Sequence, residues 1–327
     1  MRRDGGRMAV GKAIIQFASA TVLYTTLVFF TPAALVSILL CVFLGFNLAI
    51  MGFNIMHEGG HQSFSKHTWL NMVSGHFLNL LGGNIYYWKI KHNINHHTHT
   101  NIEGLDSDID VRPFMRLHKN QPHYRIHRFQ HIYWVFLYGM SYLAWIFYED
   151  FQKYFSGKVA QRSSRKSLPI KEHIIFWVSK ILYAIAYILA PILVAGWLPW
   201  LVGFIIVTFV CGVTTSIVFQ LAHVVEGTKF HHPQGEGLRK DWALQQVAST
   251  SNFATSSKTL YWLLGGLNFQ IEHHLFPRIS HIHYPAISEF VKQSCKECGI
   301  AYNEFKSLFK AIRSHVLHLH RLGKLTP

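Results

Sequence analysis

The chain has 327 residues, of which 50% are hydrophobic and only 14% are charged. Soluble domains usually carry about a quarter charged residues, so this composition argues against a soluble enzyme, and four scattered cysteines argue against a disulfide-built scaffold. The formal net charge of +15 favours anionic lipid head groups or a phosphorylated carrier as partners over nucleic acid, because the sequence also contains long apolar runs.

Two apolar runs open the chain, at residues 13–30 and 33–55, with Thr31-Pro32 between them. A helix of roughly 20 apolar residues crosses a bilayer, so these runs predict a helical hairpin. A second pair covers residues 174–195 and 198–220, with Lys180 placed where its ammonium would extend toward the polar side of the membrane. We therefore expect an all-α integral membrane protein with four transmembrane helices in two hairpins.

The basic residues lie before, between and after the two hairpins, and the turns within the hairpins carry none. The positive-inside rule then predicts a single membrane domain, residues 1–327, with both termini in the cytoplasm. Residues 56–172 and 221–327 would form a cytoplasmic helical cap. The host membrane would be the bacterial cytoplasmic membrane, or the endoplasmic reticulum in a eukaryote.

Two further apolar stretches are predicted not to span the membrane. Residues 70–88 contain several polar side chains. Residues 132–148 are almost wholly apolar, but a crossing there would put the C-terminal histidines on the opposite side from His57, so we expect an interfacial helix. The tail over 285–320 alternates apolar and charged residues at helical spacing, which predicts an amphipathic helix.

Histidines are concentrated at the ends of these runs and beside them. Imidazole binds first-row transition metals when it is neutral. One metal ion takes about four to six ligands, so eight candidates indicate two ions in one di-metal site. Imidazoles with few carboxylates suit iron in a redox role, while zinc and copper stay open at this point. The candidate ligands are His57, His61, His92, His96, His97, His223, His273 and His274.

The segment His57-Glu58-Gly59-Gly60-His61 permits other interpretations. It matches the H-E-x-x-H pattern of zinc metalloproteases, in which Glu58 would be the general base. A protease would leave the other histidine clusters unused and would not explain the two glycines. Glu58 could instead orient a ligating imidazole. A histidine-rich metal transporter is the non-enzyme alternative, but the predicted spans contain almost no metal-binding residues.

The three clusters, in this order and with four predicted spans, resemble the three histidine boxes of the membrane fatty acid desaturases. Gln270 stands where many members have the first histidine of the third box, which resembles the front-end, linoleoyl-CoA-type branch. The flanking residues 97–101, 106–110 and 273–277 continue the resemblance, which covers roughly residues 30 to 320.

The resemblance implies a non-haem di-iron centre, held by the eight histidines, that uses O2 and two electrons to desaturate a fatty acyl chain. A related hydroxylase or acetylenase remains an alternative. The sequence lacks the His-Pro-Gly-Gly of a fused cytochrome b5 domain, so we expect an external ferredoxin or cytochrome b5, with its reductase, as electron donor. Residues expected near the ligands without binding metal are Glu58, Gln270, Asp106, Asp108 and Asp110, although the three aspartates could equally form a solvated loop.

The basic residues Arg112, Arg116 and Arg125 follow the second cluster. Arginine binds phosphate through paired hydrogen bonds, so these three could hold the head group of an acyl-CoA, an acyl carrier or an acyl-lipid. A positive collar facing membrane lipids is an equal alternative. The acyl tail would then pass between the spans in an apolar tunnel. The double-bond position and chain length are not encoded in this spacing.

Overall fold

The structure is a computed structural model that describes residues 4–159, 168–232 and 241–324. Within these ranges four helices are long and apolar enough to cross a membrane: Gly6–Phe30, Ala34–Gly60, Ile170–Ala195 and Trp197–His223. The prediction of a helical membrane protein with four spans is therefore confirmed. Residues 160–167 and 233–240 of the predicted cap, and residues 1–3 and 325–327, lie outside the described residues.

The other elements are shorter and occupy the two segments predicted to form the cap. Between the second and third spans they are Thr68–Leu80, Ile85–Trp88, the π-helix Lys89–His96, His97–His99, the 3-10 turns Ser107–Ile109 and Arg125–Phe129, and Gln130–Ala144, which Trp145–Glu149 and Asp150–Ser156 continue. After the fourth span they are Trp242–Ser249, Lys258–Leu263, Gln270–Leu275, His281–His283, Tyr284–Glu297 and Leu308–Lys324. The two short strands Asn252–Phe253 and Glu304–Phe305 pair in parallel.

The spans extend beyond the apolar runs that predicted them. The first begins at Gly6, the second continues to Gly60 and the fourth ends at His223. Hydropathy marks the part of a helix that suits the hydrocarbon core, whereas backbone hydrogen bonding continues until a breaker intervenes. The first hairpin turns at Thr31, which has a positive φ of 38°, and the second at Gly196, with a φ of 94°.

The chain divides into two compact units, and the first holds most of the four spans. It comprises the described parts of residues 1–88, 138–158 and 164–216. Its second and fourth spans pack closely at Gly45, where an added Cβ would lie 2.7 Å from the Val207 carbonyl oxygen. Around the end of the second span, Met56 is buried with Leu78 and Ile85.

Lys180 lies within the first unit, and its ammonium is bonded to protein acceptors; its extension toward the polar side of the membrane stays a prediction. Its ammonium donates to Asp150 Oδ2 at 3.0 Å, to the Gly82 carbonyl at 2.6 Å and to the Ile146 carbonyl at 2.8 Å. Asp150 is fully buried. The three donors of the ammonium thus find acceptors inside the unit.

The second unit comprises the described parts of residues 89–137, 159–163 and 217–327. Its core includes Val247, Ile271 and Cys295. The C-terminal helix, Leu308–Lys324, buries Ala311 and Leu319 and exposes its charged residues, as the amphipathic pattern predicts. The helix beginning at Gln130 is not among the four that meet the length and composition of a span; its interfacial placement stays a prediction.

Candidate metal centre

The second histidine cluster lies on a π-helix, Lys89–His96, followed by a short turn of α-helix. In a regular α-helix, residues four apart share a face. A π-helix makes a wider turn, so residues five apart also face one another. His92 Nε2 therefore lies 3.3 Å from His97 Nε2, and the His92 and His96 rings stack with their centroids 5.3 Å apart.

Three elements of the second unit bring His96, His223 and His274 together. One ring nitrogen of each lies within 4.8 Å of one from each of the others. The ring centroids are 4.8 to 5.0 Å apart, and all three side chains are buried. His96 comes from the π-helix, His223 from the end of the fourth span and His274 from the helix Gln270–Leu275.

Each of these three histidines uses its Nδ1 for a hydrogen bond to an oxygen acceptor. His96 Nδ1 donates to the Asp106 carboxylate at 3.0 Å. His223 Nδ1 donates to the Ser249 carbonyl at 3.3 Å. His274 Nδ1 donates to the Gln246 amide oxygen at 2.9 Å.

These bonds place the proton on Nδ1, so in each neutral ring Nε2 carries a lone pair. The Nε2 atoms of His96, His223 and His274 are buried and have no hydrogen-bond partner among the described residues. Leaving a buried acceptor unsatisfied costs about 1–3 kcal/mol. Three such nitrogens in one place, each oriented through its other nitrogen, match the arrangement of metal-ligating histidines. The residues present therefore fit a metal ion.

Burial affects the protonation of the cluster. It lowers the pKa of His274 and of His92, which keeps these imidazoles neutral and able to bind metal. Burial acts in the same direction on His96, but the charge of Asp106 and its hydrogen bond raise the pKa of His96 overall. A carboxylate on Nδ1 makes the other nitrogen a stronger ligand.

A second group of histidines shares a member with the first. One nitrogen from each of His97, His273 and His274 lies within 4.8 Å of the others. The His273 Nδ1 forms a 3.1 Å hydrogen bond with the hydroxyl of Tyr284, which is buried. Two overlapping groups of imidazoles are consistent with more than one ion.

His57 and His61 lie in the first unit, at the end of the second span. Their rings are 4.6 Å apart and both pack edge-on against Trp88, at 5.7 and 5.5 Å. Trp88 also explains one of the glycines between them, because a Cβ on Gly60 would lie 2.3 Å from the indole ring. Glu58 is buried beside them. The two histidines thus lie side by side on one helix face, where both could bind one metal ion.

The remaining residues predicted near the ligands differ in their surroundings. Asp108 binds Lys91 at 2.9 Å and lies 3.8 Å from His96 Nδ1; although burial opposes ionisation, this lysine and the histidines hold the pKa of Asp108 well below its usual range. Asp110 is turned to Arg112, with which it forms two bonds of 2.7 and 2.6 Å. Gln270 donates to the Leu267 carbonyl at 2.8 Å.

The three arginines expected at a head group are not equivalent. Arg116 is buried, and its guanidinium donates to the carbonyls of Leu322 and Lys119. It is therefore not presented to a head group, in contrast to the expectation. Arg112 and Arg125 are exposed. Sequence reasoning could not separate them, because the burial of Arg116 depends on a helix about 200 residues away.

Several residues that hold the cluster were missed in the sequence. Gln246 accepts from His274 and from the Thr100 hydroxyl, and donates to the His97 carbonyl at 3.2 Å. The Asn101 amide donates to the carbonyls of His223, Lys229 and Ser249. For Gln246, the available signal was the polar pair Gln245-Gln246 in a helix whose other residues, apart from Ser249, are apolar. For Asn101, the available signal was its position just after the second histidine cluster.

The sequence matches the fatty acid desaturase family over residues 31–306. An acyl-lipid (8-3)-desaturase of Physcomitrium patens is 36% identical over 301 residues, which is 90% of this chain and 62% of that protein. Two sn-1 linoleoyl-lipid 6-desaturases, from Arthrospira platensis and Synechocystis sp., are 32% and 33% identical. They are matched over 98% and 99% of this chain and 87% and 90% of their own lengths. The chain therefore belongs to the fatty acid desaturase family and is an oxidoreductase that acts on fatty acyl chains.

Proposed function

We propose that the chain is an O2-dependent acyl-lipid desaturase with two iron ions held by its histidines. The observation that carries this proposal is the group His96, His223 and His274, in which Nδ1 is engaged and Nε2 is buried without a partner among the described residues. When bound, iron would supply the oxidising power that removes hydrogen from unactivated methylene groups, for which acid–base chemistry alone is insufficient.

The proposed ligands come from all three boxes and the end of the fourth span. Geometry within the second unit supports six of them: five lie in two overlapping groups of three closely spaced imidazole nitrogens, and His92 shares a group with His96 and the Asp108 carboxylate. The pairing of His57 with His61 on one helix face, together with the order of the boxes, supports the other two. The proposed ligands are His57, His61, His92, His96, His97, His223, His273 and His274.

The surrounding residues orient these ligands and exclude water. Asp106, the Ser249 carbonyl and Gln246 each hold a proton on Nδ1, so that Nε2 faces the metal. The buried histidines leave no room for bulk solvent around their rings. Overall, one acyl chain, one O2, two electrons and two protons give one double bond and two water molecules. The two electrons come from an external ferredoxin or cytochrome b5.

The substrate is proposed to be an acyl chain esterified to a membrane lipid, desaturated toward its carboxyl end. The names of the similar proteins from Physcomitrium, Arthrospira and Synechocystis support this class. Arg112 and Arg125 are exposed and would contact an anionic head group, whereas we exclude Arg116. The reaction would take place on the cytoplasmic side, where the positive-inside rule places both termini.

Gas chromatography–mass spectrometry of lipids from an expressing host tests this function. The host would be fed saturated, mono- and diunsaturated C16–C18 acids and would co-express a ferredoxin and its reductase. A new double bond in membrane lipids, absent with His96→Ala, is the expected result. A hydroxylated or acetylenic product would change the reaction assigned to the same site. No new product from correctly inserted protein would contradict the proposal.

A further inference from the structure

The C-terminal helix, Leu308–Lys324, exposes a basic face. Lys310, Arg313, Leu317, Arg321 and Lys324 recur at intervals of three or four residues, so they share one side of the helix, and all five are exposed. Residues 306–327 contain no Asp or Glu. Arg321 binds Glu226, and the other three basic residues have no ion pair among the described residues. The face therefore carries uncompensated positive charge.

The opposite face of this helix packs against the chain that follows the fourth span. His315 is fully buried, and its Nδ1 donates to the Val224 carbonyl at 2.6 Å. The Ser314 hydroxyl accepts the Glu226 backbone N–H at 2.9 Å. Val224 directly follows His223, a proposed metal ligand. One hydrogen bond and one residue of backbone thus join His315 to that ligand.

We propose that this basic face is the docking site of an acidic one-electron carrier protein, and that electrons enter through His315 and Val224 to His223. The inference rests on the proposed function, which consumes two electrons for each double bond. A one-electron carrier is oxidised at each encounter and must dock twice in each turnover. Such a partner needs a small, polar interface that forms quickly and releases quickly, which opposite charges provide.

The helix is less suited to binding a membrane surface. An interfacial helix inserts its apolar face among the lipids. Here most of that face is buried within the second unit, through Ala311, Leu319 and Leu322. Phe309, in the first turn, is 73% exposed, and Leu317, on the basic face, is 36% exposed. The exposed surface of the helix is thus mainly charged, and this favours a soluble acidic protein as the partner.

The test uses the full-length protein in phosphatidylcholine nanodiscs with a linoleoyl-lipid substrate. A reduced acidic ferredoxin is the donor in one arm, a reduced soluble cytochrome b5 in another, and oxidation of the donor is followed by absorbance. Lys310→Glu with Arg313→Glu should raise the half-saturating donor concentration about tenfold or more at low salt. The maximal rate should stay within about twofold, and the half-saturating concentration should depend less on salt than in the wild-type protein. The arm with the lower half-saturating concentration identifies the preferred carrier.

The matched control reverses two exposed lysines elsewhere in the second unit, Lys258→Glu with Lys296→Glu, and should change half-saturation less than about twofold. Equal effects of the two double variants would overturn the proposal. The proposal would also be overturned if Lys310→Glu with Arg313→Glu had an effect only in discs that contain phosphatidylglycerol. That result would mean that the basic face binds membrane lipid.

A binding measurement separates this inference from the proposed function. Fluorescence anisotropy of the labelled, oxidised carrier reports docking without turnover. If the wild-type protein forms no double bond yet binds the carrier, and the Lys310→Glu, Arg313→Glu variant does not, the proposed function fails and the docking face stands. Product formation with unchanged carrier binding in the variant would leave the function intact and refute the docking face.

Discussion

The two units both bury polar side chains, but they do so in different ways. In the first unit, the Lys180 ammonium meets three acceptors, one of them the carboxylate of Asp150. In the second unit, His96, His223 and His274 each bond an oxygen through Nδ1 and leave Nε2 buried without a partner among the described residues. In the first arrangement every donor of the ammonium finds an acceptor, and Lys153 Nζ lies 4.0 Å from the other Asp150 oxygen. The second arrangement leaves ring nitrogens open for a further partner.

The comparison shows how a structural buried polar group differs from a functional one. A group whose donors all find acceptors stabilises the fold and needs nothing from outside. A histidine whose Nδ1 is hydrogen-bonded and whose Nε2 has no partner is oriented to bind a ligand, here a metal ion. Changes in the first unit should therefore act on stability, and changes around the histidines should act on metal content and activity.

The largest expected effect follows from removing a ligand. His274→Ala should reduce desaturation to background, because His274 belongs to both groups of closely spaced nitrogens in the second unit. Product is measured by gas chromatography–mass spectrometry at equal amounts of membrane-inserted protein. The exposed His67 offers a control, since His67→Ala should leave activity unchanged. Retained activity in His274→Ala would refute the ligand assignment.

Breaking the ion pair of the first unit should act on stability. Lys180→Met leaves the buried Asp150 with only the 4.0 Å contact to Lys153, and Asp150→Leu leaves the ammonium with carbonyl acceptors alone. Each should lower the free energy of unfolding, by up to about 3–5 kcal/mol. The double variant should recover most of that loss. Denaturation of the purified protein measures both, and the metal content of the folded fraction should not change. A double variant no more stable than either single one would contradict this account.

Removing the acceptor of His274 should weaken metal binding without abolishing it. Gln246→Leu deprives Nδ1 of its acceptor and should lower metal affinity about 10–100-fold. Gln246→Glu keeps an acceptor oxygen and should lose less. The neighbouring Gln245 donates to the Thr100 carbonyl, so Gln245→Leu is the matched control. Competition with a chelator for Fe²⁺ or Co²⁺ measures the affinity, and equal values for Gln246→Leu and Gln245→Leu would rule out this role.

The smallest effect at neutral pH is the dependence of stability on pH through His315. Burial lowers the pKa of His315 to about 4, whereas the unfolded chain binds the proton near the ordinary value of 6.5. Its contribution is thus fully present above about pH 6.5 and is lost as the pH falls toward 4. His315→Gln should reduce the slope of unfolding free energy over that window by up to about 1.4 kcal/mol per pH unit. An unchanged slope in denaturant titrations would contradict this.

The four spans and the ligand set could be proposed from the sequence because both depend directly on the types of residue present. An apolar run long enough for a bilayer has few other uses, and histidines in three clusters suggest one chemistry. The spans were predicted too short, since hydropathy does not report where backbone hydrogen bonding begins or stops. The π-helix at Lys89–His96 was not predicted, because no residue pattern distinguishes its wider turn from an α-helix.

The residues that orient the ligands could not be predicted because their partners lie far apart in the chain. Gln246 meets His274, 28 residues away, and Thr100, 146 residues away. Arg116 and Lys180 are buried in bonds to carbonyls of distant segments, so their charge alone suggested surface roles. Tertiary contacts of this kind are decided by the packing of whole elements.

Iron K-edge X-ray absorption on the purified, iron-loaded protein is the most direct test of whether the histidines bind the iron. The account predicts a first coordination shell dominated by imidazole nitrogen, with a measurable loss of histidine scattering in His274→Gln. A shell of oxygen or sulfur ligands in the wild-type protein would contradict it. So would a spectrum that is the same in the wild-type protein and in His274→Gln.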